Sequence, residues 1–285
     1  MSSYIFHVKT KEGFMLKLIS EYLSNTIKYP AFRIDNTGIY LRSVDSENVI
    51  LIDLKLPSTS FPKYKCTKPI VFGVNSTHFY RLLKNIKKKD SVSLFIREDK
   101  ELELGITVEQ NDENNDKVTT FINISYVQSE DIDLPEGYEN PVIVTAKNFQ
   151  KLKTLHSIGS TIRITIVGNC IRFFVNGKGL FTREVVMGEN DDDEDDNDNK
   201  KVGYQQTFIT HLITQLTKCA GQRSNGTIQV LFHEQLPLQL KLKTGDLGEL
   251  SVYIKSKELI DMENESTENG TNEIPDMQNL SLNNE

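Results

Sequence analysis

Arg81, Lys84 and Lys88 stand at i, i+3 and i+7 on one face of the stretch Thr77–Lys88, opposite Phe79, Leu82, Leu83 and Ile86. A row of guanidinium and ammonium groups can hold the phosphates of a polyanion without making or breaking a bond. The same bias recurs elsewhere. Met15, Leu18, Ile19 and Tyr22 form the apolar face of Glu12–Lys28, and Lys17 and Lys28 fall off it. In Lys147–Ser157, Lys147, Lys151 and Thr154 share a face, with Lys153 beside them. Ile209, Leu212, Ile213 and Leu216 repeat the spacing of Phe79, Leu82, Leu83 and Ile86 at an offset of 130 residues. Under that offset Arg81 falls on His211 and Lys88 on Lys218. Lysine is common on exposed helix faces, so one such helix carries no argument. Four sharing the bias point to a common positive surface.

Other chemistry finds little support. His7, His78, His156, His211 and His233 are scattered, and none stands at metal-ligand spacing from a cysteine or another histidine. No GxxxxGK[ST], GxGxxG, HExxH or GxSxG occurs. The run Asp191–Asp198 lacks the sixth-position glycine and the closing glutamate of a calcium loop. A run of like charges does not preorganise a two-metal site, so a magnesium-dependent nuclease stays a distant alternative. No catalytic residue, metal or cofactor is expected. Cys66, Cys170 and Cys219 lie far apart and offer no disulfide framework, which suits a reducing, intracellular compartment.

These residues need elements to position them. Two acidic stretches, Glu189–Asp198 and Glu258–Glu285, hold eight acids each and no base. Without them 24 acids face 33 Lys and Arg, so the body is basic although the whole chain is at -7. No run approaches a membrane span, and MSSYIFHVKTKEG is too polar for a secretory signal. Phe32–Asp35, Ile39–Val44, Val49–Leu56, Ile70–Val74, Ser91–Arg97, Leu102–Glu109 and Val118–Ser125 read as strands. Tyr126–Asn140 is acidic and irregular and reads as a linker. Beyond it helix Lys147–Ser157, strands Thr161–Val167, Cys170–Val175 and Leu180–Val186, and helix Gln206–Cys219 repeat the plan. Strands Thr227–Phe232, Leu238–Thr244 and Leu250–Ile254 close the body. The reading is an internal duplication of α+β type, with two amphipathic helices and antiparallel sheets per half.

The stretch Gly38–Leu54, Gly-Ile-x-Leu-x-Ser-Val-Asp-x-Glu-Asn-Val-x-Leu-Ile-x-Leu, resembles the first signature of the proliferating cell nuclear antigen family of DNA sliding clamps. Matching pieces continue at Phe61-x-x-Tyr64-x-Cys66, Gly73-Val74-Asn75, His156–Gly159, Pro237-Leu238, Asp246–Leu250 and Val252–Ile254. Lys65–Lys68 departs from the second family signature, which marks a divergent, viral or protist member. The resemblance implies a DNA-clamp fold with clamp domains at 1–122 and 141–257, a connecting linker at 123–140, a disordered acidic loop at 189–199 and a disordered acidic tail at 258–285. It implies a homotrimeric ring around duplex DNA that serves as a polymerase processivity factor in replication and repair. The ring would be placed by a clamp loader, in the nucleus or a viral replication compartment. Lys17, Arg81, Lys84, Lys88, Lys147, Lys151, Lys153, His211 and Lys218 would face phosphates. Val44, Val49, Leu51, Leu134, Pro135, Pro237, Tyr253 and Ile254 would take the short aromatic-bearing peptides of partner proteins, with Lys255 where the family commonly has a small residue. Val118, Thr120 and Ile122 of one subunit would meet Leu180, Thr182 and Glu184 of the next. The family's main ubiquitin-acceptor lysine falls on Gly168. A subunit of a heterotrimeric checkpoint-type clamp is the nearest alternative.

Overall fold

The computed structural model describes residues 3–111, 116–128, 131–138, 140–188, 203–221 and 226–270. Strand β1 (Tyr4–Thr10) leads into helix α1 (Gly13–Thr26), then β2 (Ala31–Ile34), β3 (Gly38–Val44) and β4 (Ile50–Pro57). Next come β5 (Lys63–Cys66), β6 (Ile70–Gly73), helix α2 (Ser76–Leu83), β7 (Ser91–Arg97), β8 (Lys100–Glu109), β9 (Lys117–Asn123) and β10 (Ser125–Tyr126). The second half opens with β11 (Val142–Thr145), helix α3 (Ala146–Phe149) and a 3-10 helix (Gln150–Ser157). It continues with β12 (Thr161–Val167), β13 (Cys170–Asn176), β14 (Thr182–Met187) and β15 (Tyr204–Ile209). Helices α4 (Thr210–Thr214) and α5 (Leu216–Ala220), strands β16 (Thr227–Leu231), β17 (Leu238–Lys243) and β18 (Glu249–Ile254), and helix α6 (Lys257–Gly270) follow.

Sheet order exposes the duplication. The strands form sheets ordered β5-β1-β7-β8-β9, β14-β13-β12-β15 and β10-β6-β2-β3-β4-β18-β17-β16-β11. The run β6-β2-β3-β4 matches β15-β12-β13-β14, and β1-β7-β8-β9 matches β11-β16-β17-β18, both in chain order and in sheet order. The two halves meet where β4 pairs with β18, with Ile50, Ile52 and Leu54 opposite Ile254, Val252 and Leu250. All six are buried.

The helices close the core on the inner faces of the sheets. Met15, Leu18, Ile19 and Tyr22 are buried at the spacing that the α-helical period requires. Gly13 starts α1 where a Cβ would meet the Asp90 carbonyl at 2.8 Å, so the helix packs directly on the strand beside it. Asn75 accepts the His78 amide at 3.0 Å and caps α2.

Several expectations are corrected. Lys147–Ser157 is mostly 3-10: Phe149, Leu152 and Leu155, spaced by three, are all fully buried, and three residues per turn set them in one line. Gln206–Ile209 belongs to strand β15, in which Tyr204, Gln206 and Phe208 alternate inward. Gln206 is buried because Tyr204 Oη donates to it at 2.9 Å and it donates to the Glu234 carbonyl at 2.7 Å. The third strand of the second half starts at Thr182, since Leu180 lies in the turn closed by Gly177 N–H on the Phe181 carbonyl.

The tail reading is also corrected in part. Lys257–Gly270 is helical, capped by Ser256 Oγ on the Leu259 amide at 3.1 Å. Both oxygens of Glu258 accept the Thr207 amide, at 2.9 and 3.0 Å, and Ile260 packs on the core. That covers the outer edge of β15. The acidic loop 189–199 and residues 271–285 lie outside the described residues.

Candidate nucleic-acid interface

The helices form one continuous layer. Helix α1 packs against α2 and α5, α5 against α3 and the 3-10 helix, and α4 against the 3-10 helix. Arg81, Lys84, Lys88, Lys147, Lys151, Lys153, His211 and Lys218 are exposed on these elements or in the turn after α2, and Lys17 is half-buried. The structure therefore brings all nine cationic candidates to one layer. Lys17 Nζ donates to the Ile86 carbonyl at 3.2 Å. It also lies 5.0 Å from the centre of the Phe14 ring, and Lys88 Nζ lies 5.9 Å from the same ring.

Charge pairing is denser on the sheets than in this layer. On the strands Lys9, Arg42, Lys55, Arg97, Lys100, Lys117 and Lys241 each have a carboxylate within 4 Å. Lys9 beside Glu109, and Lys68 beside Glu101, hold those carboxyls below their ordinary range. Among the described residues, Lys17, Arg81, Lys84, Lys88, Lys147, Lys151 and Lys153 have no carboxylate partner. Lys218 is the exception in the layer: it pairs with Glu21 of α1 across the junction of the halves. Unpaired cations gathered in one layer leave a positive field for a polyanion, whereas those seven strand cations are neutralised by their partners.

A second group lies on the outer face of the nine-stranded sheet. Val44 pairs with Leu51 and Leu51 with Tyr253, so their side chains form a cross-strand row over the seam between the halves. The connector crosses this row and is pinned on both sides. Arg42 Nη1 donates to the Ile132 carbonyl at 2.8 Å, and Tyr138 Oη donates to the Pro237 carbonyl at 2.7 Å. The Tyr138 ring sits 6.4 Å from that of Tyr253, and burial raises the pKa of both phenols. Leu134, Pro135 and Pro237 remain half-buried beside the row. Ile254 alternates with Tyr253 and turns into the core against Ile50 and Leu238; Val49 is also buried. Arg42 and Tyr138, which fasten the connector, escaped the sequence reading. A tyrosine flanked by glutamates in an acidic linker was the signal for the second.

Among the described residues, β9 and β14 each end a sheet with one edge unpaired. In β9, Val118 is 51% and Phe121 49% exposed. At the start of β14, Leu180 is 86% and Phe181 56% exposed. Large apolar side chains on unpaired strand edges invite pairing with another chain. Val118, Thr120 and Ile122 share the inward face of β9, opposite Val108, Ile106 and Leu104. Thr182 and Glu184 are exposed, and Val185 between them and Met187 is buried.

Residues 5–132 match the model of the proliferating cell nuclear antigen N-terminal domain. A probable DNA polymerase sliding clamp of Paramecium bursaria Chlorella virus 1 is 23% identical over 88% of this chain and 96% of its own length. A DNA polymerase sliding clamp of Nitrosopumilus maritimus is 26% identical over 87% of this chain and 97% of its own. By these matches the chain resembles the DNA sliding clamps of the proliferating cell nuclear antigen type. The crystal structure of the Entamoeba histolytica antigen shares its fold, with a TM-score of 0.72 at 21% identity, covering 89% of this chain and 99% of that one. Sliding clamps act without a catalytic step of their own. Among the described residues no helix is long and apolar enough to cross a membrane, and no three His, Cys, Asp or Glu side chains are placed to hold a metal.

Proposed function

We propose that this chain is a DNA sliding clamp, three copies of which close into a ring around duplex DNA. Two clamp domains, 1–122 and 141–257, joined by the connector 123–140, would give six similar units around the hole. The helical layer forms its wall, and Lys17, Arg81, Lys84, Lys88, Lys147, Lys151, Lys153 and His211 meet phosphates in a sequence-independent, salt-sensitive way that permits sliding. Lys218 contributes less, because Glu21 shares its charge.

One observation carries ring closure. Inside the chain β4 pairs with β18, while their counterparts in the other half, β14 and β9, are left as free edges. Joining β14 of one copy to β9 of the next repeats the internal junction. Such a head-to-tail contact closes when the rotation per copy fits. The internal register supplies the external one. Ile52 opposite Val252 becomes Arg183 opposite Thr120, with Val185 opposite Val118 and Phe181 opposite Ile122 on either side.

The row of Val44, Leu51 and Tyr253 with Leu134, Pro135 and Pro237 supports docking of short aromatic-bearing peptides from a polymerase and other replication and repair proteins. A clamp loader would open the ring, in the nucleus or a viral replication compartment. No step of bond chemistry is assigned to the chain.

Cysteine pairs test the ring. With Val118→Cys and Val185→Cys in one chain, mild oxidation should give covalent dimers and trimers, and light scattering should give three times the 32.5 kDa chain mass. Single variants control for the native thiols, of which Cys170 and Cys219 are buried. A monomeric mass with no cross-linking sinks the homotrimer and favours the heterotrimeric alternative.

A further inference from the structure

The turn after α2 carries a feature that the helical wall does not account for. Arg81, Lys84, Lys87, Lys88 and Lys89 follow one another through the end of α2 and the turn, and all are exposed. Between them Ile86 is buried and Asp90 is 4% exposed, so the backbone is anchored while the lysine side chains project outward. Gly13 packs on the Asp90 carbonyl and near Ile86, which sets Lys11 and Phe14 beside the same turn. Lys17 and Lys88 meet over the Phe14 ring.

Two carboxylates of this region make other contacts. Asp90 accepts the backbone amides of Lys87 at 2.8 Å and Asn111 at 3.4 Å. Glu109 takes Lys9, Lys117 and the Ser91 hydroxyl. Among the described residues no carboxylate forms an ion pair with Lys87, Lys88 or Lys89. Like charges held together in a rigid turn raise one another's energy unless an anion joins them.

We propose that Lys87 and Lys89, with Lys11, form a second phosphate site beside the wall cation Lys88 at the rim of the hole, gripping duplex DNA where it leaves the ring. The inference rests on the clamp reading and extends it beyond the wall. Arg81 and Lys84 lead from the wall into the turn, so one DNA backbone can run across both. An acidic protein surface would need only the turn. Continuity with the wall cations favours DNA. The site holds the duplex to one side of the hole, three times around the ring.

The test uses the full chain and a fluorescent duplex of about 20 base pairs, followed by anisotropy from 50 to 200 mM salt. Each phosphate contact adds about 0.9 to the salt slope. Lys87→Gln with Lys89→Gln should therefore lower the slope by about 1.8. Across that salt range the wild type should lose about twelvefold more affinity than the variant. Lys87→Arg with Lys89→Arg should keep the wild-type slope, because the charge is kept. An unchanged slope in the Gln variant overturns the proposal and leaves an acidic protein as the ligand; so does a fall in the Arg variant. Failure of the clamp reading shows separately. A wild type that binds an end-blocked duplex as well as an open one does not thread DNA, whatever the lysine variants do.

Discussion

The junction inside the chain and the free edges at its ends occupy equivalent places, yet they are built from different residues. At the β4–β18 seam every inward position is a fully buried aliphatic: Ile50, Ile52 and Leu54 against Ile254, Val252 and Leu250. At the matching positions of β14 and β9 stand Phe181, Arg183 and Val185, and Ile122, Thr120 and Val118. The middle pair changes from Ile–Val to Arg–Thr. Fully burying one such aliphatic contributes roughly 1.5–3 kcal/mol. Two fewer per junction would make the outer seam of the proposed ring weaker than the inner one. The proposed ring would open at its weaker seam, and the difference is written in these two positions.

The largest effect should come from attacking the inner seam. Ile52 is fully buried, and Ile52→Ala leaves a cavity worth about 2–5 kcal/mol of folding stability. Denaturant unfolding of the single chain reads it directly. A loss below about 1 kcal/mol would mean that the seam relaxes and is not the rigid element assumed here.

The outer seam should respond in assembly and not in folding. Phe181 is 56% exposed in the single chain, so Phe181→Ser should leave unfolding within about 0.5 kcal/mol of wild type. Removing an aromatic anchor from an interface typically costs 1–2 kcal/mol or more. The dilution at which trimers fall apart should therefore come at least about tenfold sooner. Trimers that survive dilution as the wild type does would place the junction elsewhere.

Much of this architecture was legible in the residues. The α-helical period of Met15, Leu18, Ile19 and Tyr22, and of Phe79, Leu82, Leu83 and Ile86, marks faces that do point inward. The basic faces opposite them were equally visible. The 3-10 helix escaped because Phe149, Leu152 and Leu155 follow a period of three, which reads as a faulty α-helix. Strand β15 was taken for helix because Gln206 looks like a surface residue until Tyr204 and Glu234 are seen to satisfy it. Helix α6 was hidden by its acids, and what holds it, Glu258 on the Thr207 amide, joins residues 51 apart in the chain. Pairing of the sheet cations could not be read at all. Lys9 finds Glu109 only after folding, and such long-range pairs are commoner on the strands than in the helical layer.

The smallest effect sharpens the comparison from the other side. Thr120→Val with Arg183→Ile rebuilds the outer seam in the image of Ile52 and Val252. Arg183 now donates to Thr154 Oγ1 at 3.2 Å on an exposed surface, a bond worth about 1 kcal/mol at most. Two aliphatics facing each other across the seam should outweigh it by about 1 kcal/mol, so the ring should persist to roughly fivefold lower concentration. Light scattering on dilution checks the gain, and a ring that dissociates sooner than wild type would show that Arg183 itself holds the seam. A gain would carry a consequence for function: a tighter seam opens more slowly, so these two substitutions should retard loading onto closed circular DNA while leaving the salt dependence of binding untouched, because no cation of the helical layer has changed.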